Sequence, residues 1–252
     1  RAISIAAAET MKRVTLELGG KGANVIFADA DAKAVKRGAI HCFYNSGQSC
    51  NAPTWMLVER SYYDQAVEIA REVAEKTAVG PASQPGRHIG PVVNKRQWDQ
   101  IQGMIQKGID EGARLVAGGV GRPEGLNRGY YVRPTVFADC NNDMQIMREE
   151  IFGPVLSIMP YADVDEAIRI ANDSPFGLAA YVEGPKVDAA RSVARRLRVG
   201  MVHINGAPAA AFDREQRECF LAALDAGQVV FDRGVAVSWA EIDFDIYAGP
   251  AK

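Results

Sequence analysis

The sequence predicts an α/β protein built on an open, mostly parallel, twisted sheet with flanking helices. Three observations carry that expectation. Short apolar runs of strand length alternate, from residue 14 to residue 204, with longer segments whose apolar residues recur at helical spacing. A strand can return parallel to its predecessor only through a crossover, and a helix is the usual one. Finally, 252 residues with 48% hydrophobic content are enough to bury a substantial core.

Residues 1–13 read as the second half of an amphipathic helix already under way. Because the chain starts at Arg1 rather than Met, a missing natural N-terminus is expected. Val14 to Leu18 and Asn24 to Phe27 are apolar runs parted by Gly19, Gly20 and Gly22, which predicts two strands joined by a glycine turn. A helix over 32–44 follows, then a buried strand from Thr54 to Glu59. Ser61, with Asp64 three residues on, predicts the N-cap of a helix through Ala78 whose face is Ala66, Ile69, Ala70, Val73 and Ala74. After the Gly/Pro-rich loop 80–91, Ile101, Met104, Ile105 and Ile109 keep helical spacing within 94–112, and residues 113–117 form the strand this helix feeds. Strands are predicted over 130–137, 155–161, 178–183 and 201–204, with helices over 164–172 and 186–197. Beyond Asn205 the pattern weakens. Its one clear periodicity there is Ala240 to Tyr247, where Ile242, Phe244 and Ile246 alternate with acids, as in an edge strand or an unpaired arm.

Composition narrows the function. A net charge of -2, from 29 basic and 31 acidic residues spread along the chain, gives no electrostatic footprint for nucleic acid or an anionic membrane. Cys42, Cys50, Cys140 and Cys219 form neither a disulfide scaffold nor a CxxC or Cys/His metal cluster, so reduced thiols, no metal and a cytoplasmic setting are expected. The apolar runs are far shorter than the roughly 20 residues of a membrane span. A small-molecule partner is the expectation that remains.

Two residues stand out chemically. Cys50 closes Gly47-Gln48-Ser49-Cys50, a Gly-containing turn before a buried strand, where a loop can present a reactive thiol. A cysteine can equally serve as a small apolar residue, the reading that suits Cys42 on its helix face. Glu17 lies inside the apolar run Val14 to Leu18. Burial there would raise its pKa into the range of a general base, whereas the alternation of Thr15 and Glu17 equally fits an outward-facing glutamate.

Leu16 to Lys21 reads Leu-Glu-Leu-Gly-Gly-Lys, and Gly-Gln-Ser-Cys ends 33 residues after that glutamate. Ile89-Gly90-Pro91-Val92, then Glu149-Glu150-Ile151-Phe152-Gly153-Pro154-Val155, then Phe176-Gly177-Leu178-Ala179-Ala180 follow in order. Together, over roughly residues 1–205, these stretches resemble the signatures of the aldehyde dehydrogenase superfamily. Gly-Gly-Lys by itself is no Walker A loop, which needs Gly-x-x-x-x-Gly-Lys-Ser/Thr. The resemblance implies that Cys50 attacks an aldehyde to give a thiohemiacetal, that hydride passes to NAD or NADP, and that water activated by Glu17 hydrolyses the resulting thioester. It also implies that the Cys50 N–H helps hold the oxyanion, that Glu150 and Phe152 contact the nicotinamide ribose and ring, and that Gln97 touches the adenosine ribose. Gly19 and Gly20 would allow close backbone approach near the cofactor, although tight-turn glycines look the same, and Phe152 could be plain core.

By the same resemblance, residues 1–19 close a cofactor-binding domain, 20–206 form a catalytic domain, and 207–252 are a divergent or frame-shifted tail or an oligomerisation arm, which would make a homo-oligomer. The chain departs from the family twice. The main dinucleotide-binding region, with the oxyanion asparagine and the ribose-holding lysine, would lie upstream of Arg1. After Asn205 the family's Pro-Phe-Gly-Gly stretch is replaced by Ala207-Pro208-Ala209-Ala210-Ala211. Two other readings therefore stay open: an inactive truncated relative, and a thiol esterase that needs no NAD.

Overall fold

A computed structural model of the chain describes residues 1–208. Its centre is an eight-stranded sheet in the order β3-β4-β5-β2-β1-β6-β7-β8. The strands are β1 (Ala23–Ile26), β2 (Trp55–Glu59), β3 (Arg114–Ala117), β4 (Thr135–Ala138), β5 (Val155–Tyr161), β6 (Ala179–Glu183), β7 (Met201–Ile204) and β8 (Ala207–Pro208). Every pairing from β4 to β7 is parallel, and each edge carries one antiparallel strand, β3 against β4 and β8 against β7. The open, mostly parallel sheet read from the sequence is the fold.

Period-two alternation sends successive side chains to opposite faces, so strands buried on both sides read as continuous apolar runs. Trp55 and Leu57 of β2 pack on one face with Ala23 and Val25 of β1. Met56 and Val58 of β2 turn to the other face with Ile26. That second face is covered by α2 (Ala34–Phe43) and α3 (Tyr63–Lys76) through Val35, Ala39, Phe43, Ala66 and Ala70. The first is covered by α4 (Lys95–Asp110), α5 (Gln145–Arg148), α6 (Val164–Asn172) and α7 (Val187–Ala194) through Ile101, Ile105, Ile146, Ile168 and Val193. Helix α1 (Ala2–Ala8) buries none of its side chains.

Several elements differ from the sequence expectation, each for a local reason. Val14 to Leu18 is not a strand: it has no regular secondary structure, is mostly exposed, and no described residue pairs with its backbone. Ser61 does not cap α3. A 3-10 turn, Arg60–Tyr62, intervenes, and the Ser61 hydroxyl donates to Glu59 at 3.4 Å. The strand expected over 130–137 begins only at Thr135, because Pro134 has no N–H to give the ladder. Helix α4 starts where its cap dictates, with the Asn94 side chain accepting from the Gln97 N–H at 2.9 Å. The short α5 and β8 went unforeseen. Ala240 to Tyr247, Cys219 and any oligomerisation arm lie outside the described residues.

Among the described residues no helix is long and apolar enough to cross a membrane. Nor is any group of three or more His, Cys, Asp or Glu placed to hold a metal ion.

Candidate active site

The five motif stretches, scattered from residue 16 to residue 180, converge at the amino ends of the sheet's central strands. Gly19 to Gly22 lead into β1, Cys50 to Thr54 into β2, Glu150 to Pro154 into β5, and Phe176 to Leu178 into β6. These four strands are parallel neighbours in the order β5-β2-β1-β6, so their amino ends lie side by side. Ile89 to Val92 joins them through the cysteine loop, where the Ser46 hydroxyl donates to the Gly90 carbonyl at 2.6 Å.

The cysteine loop is held in a conformation that L-residues rarely adopt. Asn45, Ser46 and Gly47 have φ of 52°, 58° and 72°, three consecutive left-handed residues. Side chains secure them. Asn45 Nδ2 donates to the Gln48 carbonyl at 3.0 Å, and Gln48 Nε2 returns to the Asn45 carbonyl at 3.1 Å. Gln48 Oε1 accepts from the Val93 N–H at 2.9 Å. Past the cysteine, the Tyr181 hydroxyl of β6 donates to the Asn51 carbonyl at 2.7 Å. Burial pushes the ionisation of that hydroxyl well above its ordinary value, with the nearby Cys50 adding to the shift, so it remains a donor.

Cys50 itself is half-buried, unlike Cys42 and Cys140. Burial pushes both of those thiols up to about 12, and they stay protonated at neutral pH. Cys42 keeps the packing role read from its helix face. The Cys50 N–H has no hydrogen-bond partner among the described residues.

Gly19 and Gly20 are close-approach glycines, since neither has a left-handed φ. A Cβ on Gly20 would lie 2.3 Å from the Cys50 carbonyl oxygen, and one on Gly19 would lie 2.1 Å from Glu150 Oε2. The Gly20 N–H donates to Glu150 Oε1 at 3.0 Å. Glu17 stands three residues before this contact, which limits its Cα to roughly 10 Å from that of Gly20. It is exposed and makes no hydrogen bond or ion pair with any described residue. Of its two sequence readings, the outward-facing one matches this exposure.

Phe152 sits at φ 54° and, only partly buried, belongs to neither core cluster. Gln97 fixes that turn, donating from Nε2 to the Ile151 and Phe152 carbonyls at 3.0 and 3.1 Å. Glu149 is exposed, and Gln145 Nε2 donates to it at 2.7 Å.

Sequence reasoning missed Lys21. It is 5% exposed, and its Nζ donates to the Ile146 carbonyl at 2.8 Å. With Gly20 on Glu150, this ties the Glu17 segment to residues 146–152 at two points. The signal lay in Lys21 standing two residues before the apolar run of β1. Burial lowers its pKa from 10.5 to about 8, against smaller upward pulls from Cys42, Cys140 and Glu150. A lysine with a lowered folded-state pKa leaves the unfolded chain binding more protons between about 8 and 10.5, so the Lys21 contribution to stability rises with pH through that window, while Cys42 and Cys140, whose folded-state values are raised, pull the other way above about 9. The difference is on the order of 3 kcal/mol. In a Lys21→Met variant this contribution should vanish, so urea melts taken across the same window should give the variant a lower slope of stability against pH than the parent, and equal slopes would show that Lys21 does not contribute it.

The sequence model of the aldehyde dehydrogenase family matches residues 1–216. A 3-succinoylsemialdehyde-pyridine dehydrogenase of a Pseudomonas species is 50% identical over 206 residues, 81% of this chain and 43% of the relative. A putative aldehyde dehydrogenase of Staphylococcus saprophyticus is 46% identical over 202 residues, 80% of this chain and 42% of its own. Among solved structures, an aldehyde dehydrogenase from Bartonella henselae superposes with a TM-score of 0.79 at 61% identity, covering 81% of this chain and 43% of that one. Aldehyde dehydrogenase C of Pseudomonas syringae, as a mutant complexed with NAD+ and octanal, gives 0.77 at 47% identity, covering 81% and 42%. The chain thus spans less than half the length of the relatives it matches. With the family model covering most of its residues and all five motifs gathered at one end of the central strands, this chain belongs to the aldehyde dehydrogenase family.

Proposed function

We propose that this chain carries the cysteine half of an NAD(P)-dependent oxidation of an aldehyde to a carboxylic acid, with Cys50 as nucleophile and Glu17 as the base that activates water. The observation that supports it best is the contact of Gly20 with the Cys50 carbonyl, which brings the Glu17 segment to the cysteine loop. The Cys50 sulfur adds to the aldehyde carbon, and the carbonyl oxygen, now negative, takes a hydrogen bond from the free Cys50 N–H. Tyr181 and Gln48 tie the loop on either side of Cys50. Glu17 then removes a proton from the water that attacks the thioester.

The residues fit the nicotinamide end of a cofactor. Gly19 leaves its backbone bare beside the Glu150 carboxylate, and Phe152 is turned out of the core by the Gln97 clamp. When bound, NAD or NADP accepts the hydride. In this reading Glu150 and Phe152 orient the ribose and ring, while Gln97, with its amide nitrogen spent on two carbonyls, holds Phe152 in place and offers only its oxygen to the adenosine ribose. Residues 1–19, exposed and without a core of their own, read as the end of the cofactor-binding domain, and 20–206 as the catalytic domain. A reducing, cytoplasmic compartment suits a working thiol.

Aldehyde-dependent formation of NADH or NADPH tests the proposal, followed by absorbance with the parent and with Cys50→Ala. Turnover in the parent and none in the variant is the expected result. Turnover that survives Cys50→Ala would overturn it. Hydrolysis of an activated ester by Cys50 with no reduction of NAD(P) would instead favour the thiol esterase.

A further inference from the structure

A groove of about 820 Å³ runs along α2 beside β6 and β7. One end reaches the two residues that flank the cysteine loop. Tyr44 precedes Cys50 by six residues, Pro53 follows it by three, and Tyr181, whose hydroxyl holds the Asn51 carbonyl, closes the floor between them. The far end is cationic, with Lys33, Lys36 and Arg37 at the start of α2. A helical rise of 1.5 Å per residue puts Lys33 roughly 17 Å from Tyr44.

The charges there do not cancel. Glu183 is the acid that lines the groove; it pairs with Arg37, which also holds Asp31 at 2.7 Å. Lys33 and Lys36 have no ion-pair partner among the described residues. Midway, His203 stacks on Tyr181 with ring centroids 4.8 Å apart. Two buried atoms in this stretch, Asn24 Oδ1 and His203 Nε2, lack a hydrogen-bond partner among the described residues, and Asn24 is 1% exposed. Buried polar atoms without partners mark a place that water or a ligand completes. An apolar passage of Ile40, Tyr44 and Pro53, the last two flanking the Cys50 loop, leads to two ammonium groups with no ion-pair partner among the described residues, and is shaped for an elongated molecule with an anionic end.

We propose that this groove selects medium-chain aldehydes that carry a carboxylate at the far end, ω-oxo acids, with the aldehyde carbon at Cys50 and the carboxylate between Lys33 and Lys36. The inference rests on the reading of Cys50 as the nucleophile. Binding needs no oxidant: a C–S bond forms, the carbonyl π bond breaks, and its electron pair takes up a proton on oxygen as a thiohemiacetal. The lysines gain charge-assisted hydrogen bonds that an unsubstituted alkanal does not offer.

The experiment measures protection of Cys50 from iodoacetamide, with ω-oxodecanoate and decanal as competing probes and peptide mass spectrometry as the readout. Half-protection by ω-oxodecanoate is expected at a concentration roughly tenfold lower than by decanal, the equivalent of one charge-assisted contact. In a Lys33→Ala/Lys36→Ala chain that preference should disappear, while decanal protection and the unprotected alkylation rate, which report on folding, stay as in the parent. Equal protection by the two probes in the parent, with Cys50 normally alkylated, would overturn the selection and leave the nucleophile standing. A preference that survives the double substitution would remove the lysines from it. A Cys50 inert to iodoacetamide would overturn the nucleophile itself, and this inference with it.

Discussion

Glu17→Gln is expected to leave the first half-reaction intact and to stall the second. A single turnover's worth of NADH should appear at close to the parent rate. The steady state that follows should fall by roughly two to four orders of magnitude, the range that a positioned general base contributes. The amide retains the size and polarity of the carboxylate but cannot take a proton from water, so the thioester on Cys50 accumulates and is detectable by mass. Geometry makes the experiment clean. Glu17 is exposed and bonds to no described residue, so the substitution leaves packing untouched and melting should not move. The segment it sits on is pinned just downstream, by Gly20 on Glu150 and by Lys21 on the Ile146 carbonyl, which keeps residue 17 near the loop without burying it. If steady-state turnover stayed near the parent's, another group would be the base. If the burst also disappeared, Glu17 would be needed before hydride transfer, and the division of labour proposed here would be wrong.

Much of the fold was legible because strand and helix periods differ and β1, β2 and β5 are buried on both faces. Runs such as Val155 to Tyr161 and helices such as Val164–Asn172 fall where apolar spacing puts them. Misreadings arose where a strand needs a partner rather than a pattern. Val14 to Leu18 has the composition of a strand, yet no described backbone lies beside it. Tyr130 to Arg133 has the same composition and is stopped by Pro134. The motif residues were readable as residue types in order, but their convergence was not, because it depends on β5, β2, β1 and β6 being adjacent. Nor does local sequence indicate that Tyr181 reaches across from β6 to the Asn51 carbonyl, or that Lys21 is turned inward. Those contacts span 130 and 125 residues of chain and exist only once the sheet has assembled.

The same adjacency makes Gly47 the most sensitive position in the loop, and Gly47→Ala is expected to destabilise the chain by at least roughly 3 kcal/mol. Two effects add. The residue sits at φ 72°, which costs an L-residue about 1–2 kcal/mol. In addition, a Cβ there would lie 2.0 Å from the Gly153 carbonyl oxygen and 2.6 Å from the Pro154 nitrogen, which are backbone atoms with no rotamer to yield. Gly153 is itself closely packed on Ile101, whose Cδ1 lies 2.6 Å from where a Cβ on it would stand, and the strain passes into the start of β5 and the turn that holds Phe152. Reactivity of Cys50 should fall with stability, since one displaced contact moves both the cysteine loop and the segment carrying Glu150. Gly103→Ala is the comparison. Gly103 lies mid-way along α4, exposed, with nothing within 4 Å of a built Cβ, so alanine should stabilise by about 0.5–1 kcal/mol. Urea unfolding of the two variants beside the parent separates the terms. A Gly47→Ala chain as stable as Gly103→Ala would mean that the three left-handed residues are not what sets the cysteine loop, and that the hydrogen bonds of Gln48 and Ser46 suffice to hold it.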